Sequence, residues 1–165
     1  MKKFILLYLI ILPFLAKAQD NPIALPSRSD GYVNDYTGSL SDSAEMKLEA
    51  KLKAFDKPDN GQIVIAIIKT VGKEDMMVFG TRLANSWGAG YKGKNNGVLV
   101  LIAMNDHNSA IMTGSGIEQI VTNEICRTII ENDINPHFQK GEYYEGLDEA
   151  VTDLMKALKK QYKPH

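Results

Sequence analysis

Two runs in the chain hold no polar side chain between their ends: Gln62–Lys69 (QIVIAIIK) and Val98–Ala103 (VLVLIA). Both are rich in β-branched residues, and a strand that is apolar on both faces must be covered on both. They predict two central strands, parallel to each other. Around them the apolar positions change to helical spacing. Ala44, Leu48, Leu52 and Phe55 follow Ser41, a good N-cap, and predict a helix over 41–55. Met76, Phe79, Leu83 and Trp87 form a second stripe, which predicts a helix opening at Gly72 and running through Ser86. Asn105–Asn108 reads as a turn, and Ala110–Thr113 as a short strand returning antiparallel. Further helices are predicted over about 122–133, stopped before Pro136, and over about 143–160, where Leu147, Val151, Leu154 and Leu158 align. This order predicts an α/β fold, a three-layer α/β/α sandwich around a small mixed β-sheet.

The N-terminus follows another pattern. Lys2 and Lys3 precede an uncharged run from Phe4 to Ala16, and Ala16-Lys17-Ala18 supplies small residues at a cleavage spacing. The run falls short of the roughly 20 apolar residues a membrane span needs, and Pro13 interrupts it. The expectation is a signal peptide over 1–18, cut between Ala18 and Gln19, with an uncleaved anchor as the alternative. Pro22, Pro26 and small polar neighbours make 19–30 a linker, which leaves 31–160 as one domain. A hydrophobic share of 44% and a charged share of 24% suit an ordinary globular domain.

Cleavage removes three lysines, so 19 basic against 20 acidic residues become 16 against 20, a net charge of −4. With no basic block to offset that sign, nucleic acid is excluded as a partner class. The mature chain has no apolar run long enough to span a bilayer, and the product is expected to be periplasmic or secreted. Cys126 is the single cysteine, so no disulfide forms within the chain; beside Ile125 on an apolar face it reads as a buried small hydrophobe.

Candidate chemistry centres on two glycine-bearing stretches. Gly88-x-Gly90-x-x-Gly93 spells a dinucleotide fingerprint, and Gly88 to Lys94 almost spells a phosphate loop, with Asn95 where Ser or Thr should ligate magnesium. Both motifs need a strand before and a helix after; here the order is helix, loop, strand, which favours a glycine loop feeding the second strand. Thr113 to Glu118 does lie between a strand and a helix, so its amides could hold an anion or its carboxylate a cation. His107, His137 and His165 share no metal-like spacing, and no catalytic residue can be named. If the third strand is antiparallel, the loops before the second strand and after the third share one sheet edge. Asn95, Asn96, Ser115, Glu118, Asn123 and Glu124 are then neighbours, an oxygen-rich set suited to calcium ahead of magnesium. The alternative is that Glu118 and Glu124 merely sit solvated at the start of the helix after them.

Val33-x-Asp35, Leu40-Ser41, Trp87-Gly88 to Leu99, Gly114-x-Gly116-Ile117-Glu118, and Ile134-x-Pro136-x-Phe138 before Gly141-x-Tyr143 occur in an order and spacing that resemble the TPM domain family. The resemblance covers about residues 31–158. It implies an exported or lumenal α/β sandwich that binds divalent cations, helps maintain membrane or envelope protein complexes and, in some members, acts as an acid phosphatase. On it the chain is expected to be a calcium-binding module that interacts with or maintains envelope proteins, with Asp35, Glu118, Asn123 and Glu124 as ligands. The alternative is a metal-dependent acid-phosphatase-like hydrolase, with Asp35, Glu118 and Glu124 holding the metal. Two departures bear on this. Asn123 stands where the family usually has Asp, and Asn105–Ser109 lacks the family's frequent Arg.

Overall fold

The computed structural model describes residues 23–28 and 30–160; the predicted signal peptide and its cleavage site lie outside them. Four strands form one sheet in the order β1 (Val33–Asp35), β2 (Gln62–Ile68), β3 (Gly97–Ala103) and β4 (Asn108–Thr113). β1, β2 and β3 are parallel, and β4 returns antiparallel to β3. The α/β architecture, both buried strands and the antiparallel return follow the sequence pattern.

β1 is a strand that periodicity misses. Its three residues hold one large apolar side chain, Val33, too few positions for any repeat to show. Its place is set by pairing, with Val33 opposite Ile65 and Asp35 opposite Ile67.

Helix α1 (Asp42–Phe55) starts where expected, with the Ser41 hydroxyl accepting from the Ala44 N–H at 3.3 Å. Leu48, Leu52 and Phe55 pack on the sheet face formed by Ile63, Ile65, Ile67, Val98, Val100 and Ile102. Helix α2 (Met76–Trp87) covers the other face, placing Phe79 and Leu83 against Val64, Ala66, Leu99 and Leu101. It begins later than predicted: Gly72 sits in a turn with φ +66°, and the Asp75 carboxylate caps Met77 and Val78 at 2.9 and 3.0 Å.

The predicted helix over 122–133 does not stop before Pro136. α3 (Asn123–Ile129) passes through a π-helical turn, Ile130–Ile134, into α4 (Asn135–Phe138). Pro136 is tolerated because the π turn shifts the pairing: the Asn135 N–H donates to the Ile130 carbonyl, and Pro136, which has no N–H, falls where the chain returns to α-helical pairing in α4. After a turn at Gly141, α5 (Tyr143–Leu158) lies with α1 and α3 on one sheet face.

The chain crosses from β1 through α1 to β2, and from β2 through α2 to β3, moving the same way across the sheet. Because α1 and α2 lie on opposite faces, one of these crossovers must be left-handed, against a strong general preference. As a result the loops after β1 and β2 diverge at the carboxyl ends of those strands, the position where open α/β sheets hold ligands.

Residues 23–28 lie along the α2 face. Trp87 donates its indole N–H to the Pro26 carbonyl at 2.9 Å, Arg28 donates to the Trp87 carbonyl at 3.0 Å, and Leu25 packs on the apolar cluster there.

Candidate functional site

The sheet separates the residues singled out from sequence. Asp35 stands at the carboxyl end of β1; Glu118, Asn123 and Glu124 follow β4, whose last residue Thr113 pairs with Val98 at the amino end of β3. The four do not form one site.

At the carboxyl edge, Asp35 organises the turn that follows it. One oxygen accepts from the Thr37 N–H at 2.8 Å, the Thr37 hydroxyl at 2.7 Å and the Gly38 N–H at 3.0 Å, and the other from the Leu40 N–H at 2.9 Å. Gly38 takes φ +69° to close this turn. Glu49 reaches back to the free side of β1, where one carboxylate oxygen accepts from the Tyr32 and Val33 amides at 2.8 and 2.9 Å. Between them sits Glu45. Partial burial and then the carboxylates of Asp35, Asp42 and Glu49 push its carboxyl above the usual carboxylate range. No Lys or Arg forms an ion pair with any of these four among the described residues. Asp42, Glu45 and Glu49 escaped the sequence reading, although their spacing of three and four places them on one side of α1.

Farther along the same edge, Asp106 accepts from the Thr70 hydroxyl at 2.7 Å and the Val71 N–H at 2.8 Å, which ties the loop after β2 to the turn after β3. Beside it a cavity of about 480 Å³ opens between the start of β4 and the α4–α5 turn, with Asn135, Phe138 and Tyr143 on its wall.

The amino edge is closed by backbone. The Gly116 N–H donates to the Asn95 carbonyl at 3.0 Å and the Gly114 N–H to the Gly97 carbonyl at 2.8 Å, so the two glycine stretches do meet, as the topology required. The Asn96 carbonyl accepts from the Gln62 N–H, and the Asn96 side chain turns inward to Tyr91 and Pro58. Asn96 is thus buried away from the acids, and Asn95 and Ser115 line a different hollow from Glu118 and Glu124. The tempting Gly88–Gly93 loop is pinned rather than open. Gly90 donates to Gln62, and Tyr91 donates its hydroxyl to Asp56 at 2.9 Å. Asp56 also accepts from the Tyr32 hydroxyl, a bond that raises the Tyr32 pKa to about 12.

Glu118, Asn123 and Glu124 do come together, along an open depression of about 560 Å³ beside β4 that also includes Met77, Thr113 and Thr122. Thr122 caps α3 through the Ile125 N–H, and Glu124 lies in the first turn. Among the described residues no three His, Cys, Asp or Glu side chains converge in a way that could hold a metal ion. Cys126 is buried, and burial lifts its thiol to about 11.

Comparison with known proteins accounts for this architecture. The TPM domain family matches residues 33–157. A solution structure of the N-terminal domain of a protein from P. gingivalis superimposes with a TM-score of 0.71 at 27% identity, covering 81% of this chain and 85% of that one. The BA42 protein of Bizionia argentinensis gives 0.63 at 22% identity, covering 76% and 86%. The N-terminal domain of the cg2496 protein from Corynebacterium glutamicum gives 0.59 at 13% identity, covering 86% and 89%. No curated protein matches. The chain belongs to the TPM domain family.

Proposed function

We propose that the chain is an exported, divalent-cation-binding module that interacts with envelope proteins, and that its cation rests at the carboxyl edge of the sheet. The observation that carries this reading is Glu45. Its carboxyl is raised first by partial burial and then by the carboxylates of Asp35, Asp42 and Glu49, in a hollow beside the free side of β1 that Gly31, Val33, Asp42 and Glu49 also line. A hydrated calcium ion would relieve that repulsion through its water shell, held between the carboxylates of Asp42 and Glu45 without a converged set of three acids among the described residues. Such an open site suits the roughly 0.1–1 mM affinities of extracellular calcium modules, and calcium ahead of magnesium, which insists on a regular octahedron.

The phosphatase alternative has the family's acid-phosphatase members in its favour, but no observation at this edge. Arg82 pairs with Glu74, Arg28 holds the Trp87 carbonyl, and Arg127 lines a hollow on the far side of β4. None of them flanks Asp35 to clamp a phosphate.

Calcium titration followed by amide chemical shifts tests the reading. Shifts should concentrate on Asp35–Glu45, and Glu45→Gln should weaken binding several-fold. It should also raise the metal-free melting temperature at neutral pH. An acid whose pKa is raised by folding contributes stability below its unfolded pKa and loses it as pH rises through the folded value, so removing its charge helps at pH 7. Shifts confined to Glu118–Glu124, abolished by Glu118→Gln with Glu124→Gln, would move the cation to the depression beside β4. No shifts up to about 10 mM calcium, well above that affinity range, would end the cation reading.

A further inference from the structure

The two lateral edges of the sheet are treated differently. At β1 the Glu49 carboxylate takes up the Tyr32 and Val33 amides. At β4, among the described residues, no side chain takes up the outward amides of Ile111 or Thr113 in this way. The Gly114 N–H to Gly97 carbonyl bond makes that couple a hydrogen-bonded pair of the antiparallel ladder. Pairs alternate, so Met112 and Ala110 bond to β3, while Ser109, Ile111 and Thr113 turn their N–H and C=O groups outward. Ser109 has its N–H satisfied by the Asn108 side chain at 2.9 Å. Those of Ile111 and Thr113 have no hydrogen-bond partner among the described residues.

This edge is the floor of a groove, with Ile111 buried at its base (5% exposed) and Thr113 partly exposed. The depression holding Glu118 and Glu124 is continued by a second hollow of about 450 Å³ that contains Cys126, Arg127 and Glu131, and both share Met77, Ile111 and Asn123. α2 forms one wall through Thr81 and Met77, which is 49% exposed, and α3 with its π turn forms the other. A flexible, exposed methionine suits an adaptable apolar contact. Along the rim three carboxylates, Glu118, Glu124 and Glu131, face one guanidinium, Arg127.

We infer that β4 is a docking edge for an extended, lysine- or arginine-bearing polypeptide segment, which adds to the sheet as a fifth strand. Its backbone pairs with Ile111 and Thr113, its apolar side chains lie against Met77 and Ile111, and its cations meet the acidic rim. Affinity comes from main-chain bonds and specificity from alternate side chains, as in other strand-addition complexes. The inference rests on the interaction half of the function proposed above and is independent of the cation, so its test is run in EDTA.

The probe is a short soluble peptide alternating valine with lysine, titrated into the chain to about 1 mM, the limit of weak specific binding. The amide protons of Ile111 and Thr113 should shift downfield, and their hydrogen exchange should slow at least about tenfold, as new strand bonds require. A peptide N-methylated at alternate amides on its pairing edge, and one with glutamate in place of lysine, should each bind at least about tenfold more weakly. Thr113→Pro removes an outward N–H while leaving the bonds of Met112 and Gly114 to β3 intact, and should weaken binding to a similar extent. Glu131→Lys, a surface change that spares the fold, should do so in part. Equal binding of the N-methylated and parent peptides, or no response at Ile111 and Thr113, overturns the inference. So does a shift of these amides with protein concentration alone, since a second copy would then be the occupant.

Discussion

Gly116→Ala tests whether the glycines of the 114–118 stretch serve a ligand or the packing of two loops. A Cβ built on Gly116 would lie 1.9 Å from the Lys94 carbonyl oxygen and 3.1 Å from that of Asn95. An ordinary carbon–oxygen contact needs more than 3 Å, so one loop must move by over about 1 Å. Neither moves freely. The Asn95 carbonyl is held by the Gly116 N–H and the Asn96 carbonyl by the Gln62 N–H, while Lys94 reaches the Pro58 carbonyl at 2.9 Å. Overpacking costs about 1–3 kcal/mol and a loosened hydrogen bond about 1 kcal/mol more, giving roughly 3 kcal/mol in all. For a domain of this size that lowers the melting temperature by about 10 °C. Gly93→Ala is the control. It sits in the same region at φ +80° with no atom within 4 Å of a built Cβ, so only the backbone conformation is penalised, by about 1–2 kcal/mol. Calorimetric melting of both variants gives the comparison. If Gly116→Ala melts within about 2 °C of the parent, or no lower than Gly93→Ala, the two loops are not pressed together and the structural reading of this Gly-x-Gly is wrong.

Three further outcomes follow from other parts of the molecule. Ile65 is fully buried in the central strand, so Ile65→Asp should cost several kcal/mol and abolish the cooperative melt seen by circular dichroism; a folded variant would refute the central placement. His137 is clasped between Glu142 at 2.7 Å and Glu149 at 3.2 Å, and chiefly the Glu142 bond raises its pKa above 6.5. A raised histidine pKa gives stability that is full below the unfolded value and fades as pH rises through the folded one. His137→Gln should therefore lower the melting temperature at pH 5.5 more than at pH 8.5, and an equal effect at both would refute the clasp. Cys126, with its thiol near 11, should resist iodoacetamide at pH 8 in the native state and react once denatured, as mass spectrometry would show; rapid native labelling would contradict its burial.

Legibility in the sequence tracked how many residues a feature spreads over. The apolar runs 62–69 and 98–103 declared both central strands because each is buried on two faces, and every interior residue had to be apolar. The stripe from Ala44 to Phe55 declared α1 because four residues repeat one spacing. β1 spans three residues and owes its place to pairing with β2, which no local pattern encodes. Pro136 was read as a stop because an interior proline clashes with the preceding turn; the π segment before it changes the hydrogen-bond frame, so that the proline falls in a first turn instead. The candidate site failed in a similar way. Glu118, Asn123 and Glu124 come together because they lie within seven residues of one another, whereas strand direction does not bring Asn95, Asn96 and Ser115 into the same hollow, and the acids around Asp35 depend on α1 folding back beside β1, a contact visible only in three dimensions.

The unusual pair of crossovers explains why the two proposed surfaces do not compete. Had α1 and α2 shared a face, the loops after β1 and β2 would leave the sheet on the same side rather than diverge beside Asp35. Placing α2 on the opposite face from α1 does two things at once. It parts the loops at the carboxyl edge, where Asp35 and Asp42 both act on Glu45. It also gives β4 a helix wall on the side that α3 leaves bare, so that Met77 and Thr81 face Asn123 across an unpaired strand edge. A cation at the first surface and a strand at the second would touch different loops, joined through β2 and β3 and through α5, which packs on both α1 and α3. Calcium should therefore leave peptide affinity at β4 unchanged within about twofold, because coupling needs an element with two discrete arrangements that both ligands bias, and the two surfaces share no side chain or loop. Calorimetric peptide titrations with calcium and with EDTA measure that coupling. A change of tenfold or more would mean that the two edges form a single site, and that the acidic rim along β4 is itself where the cation binds.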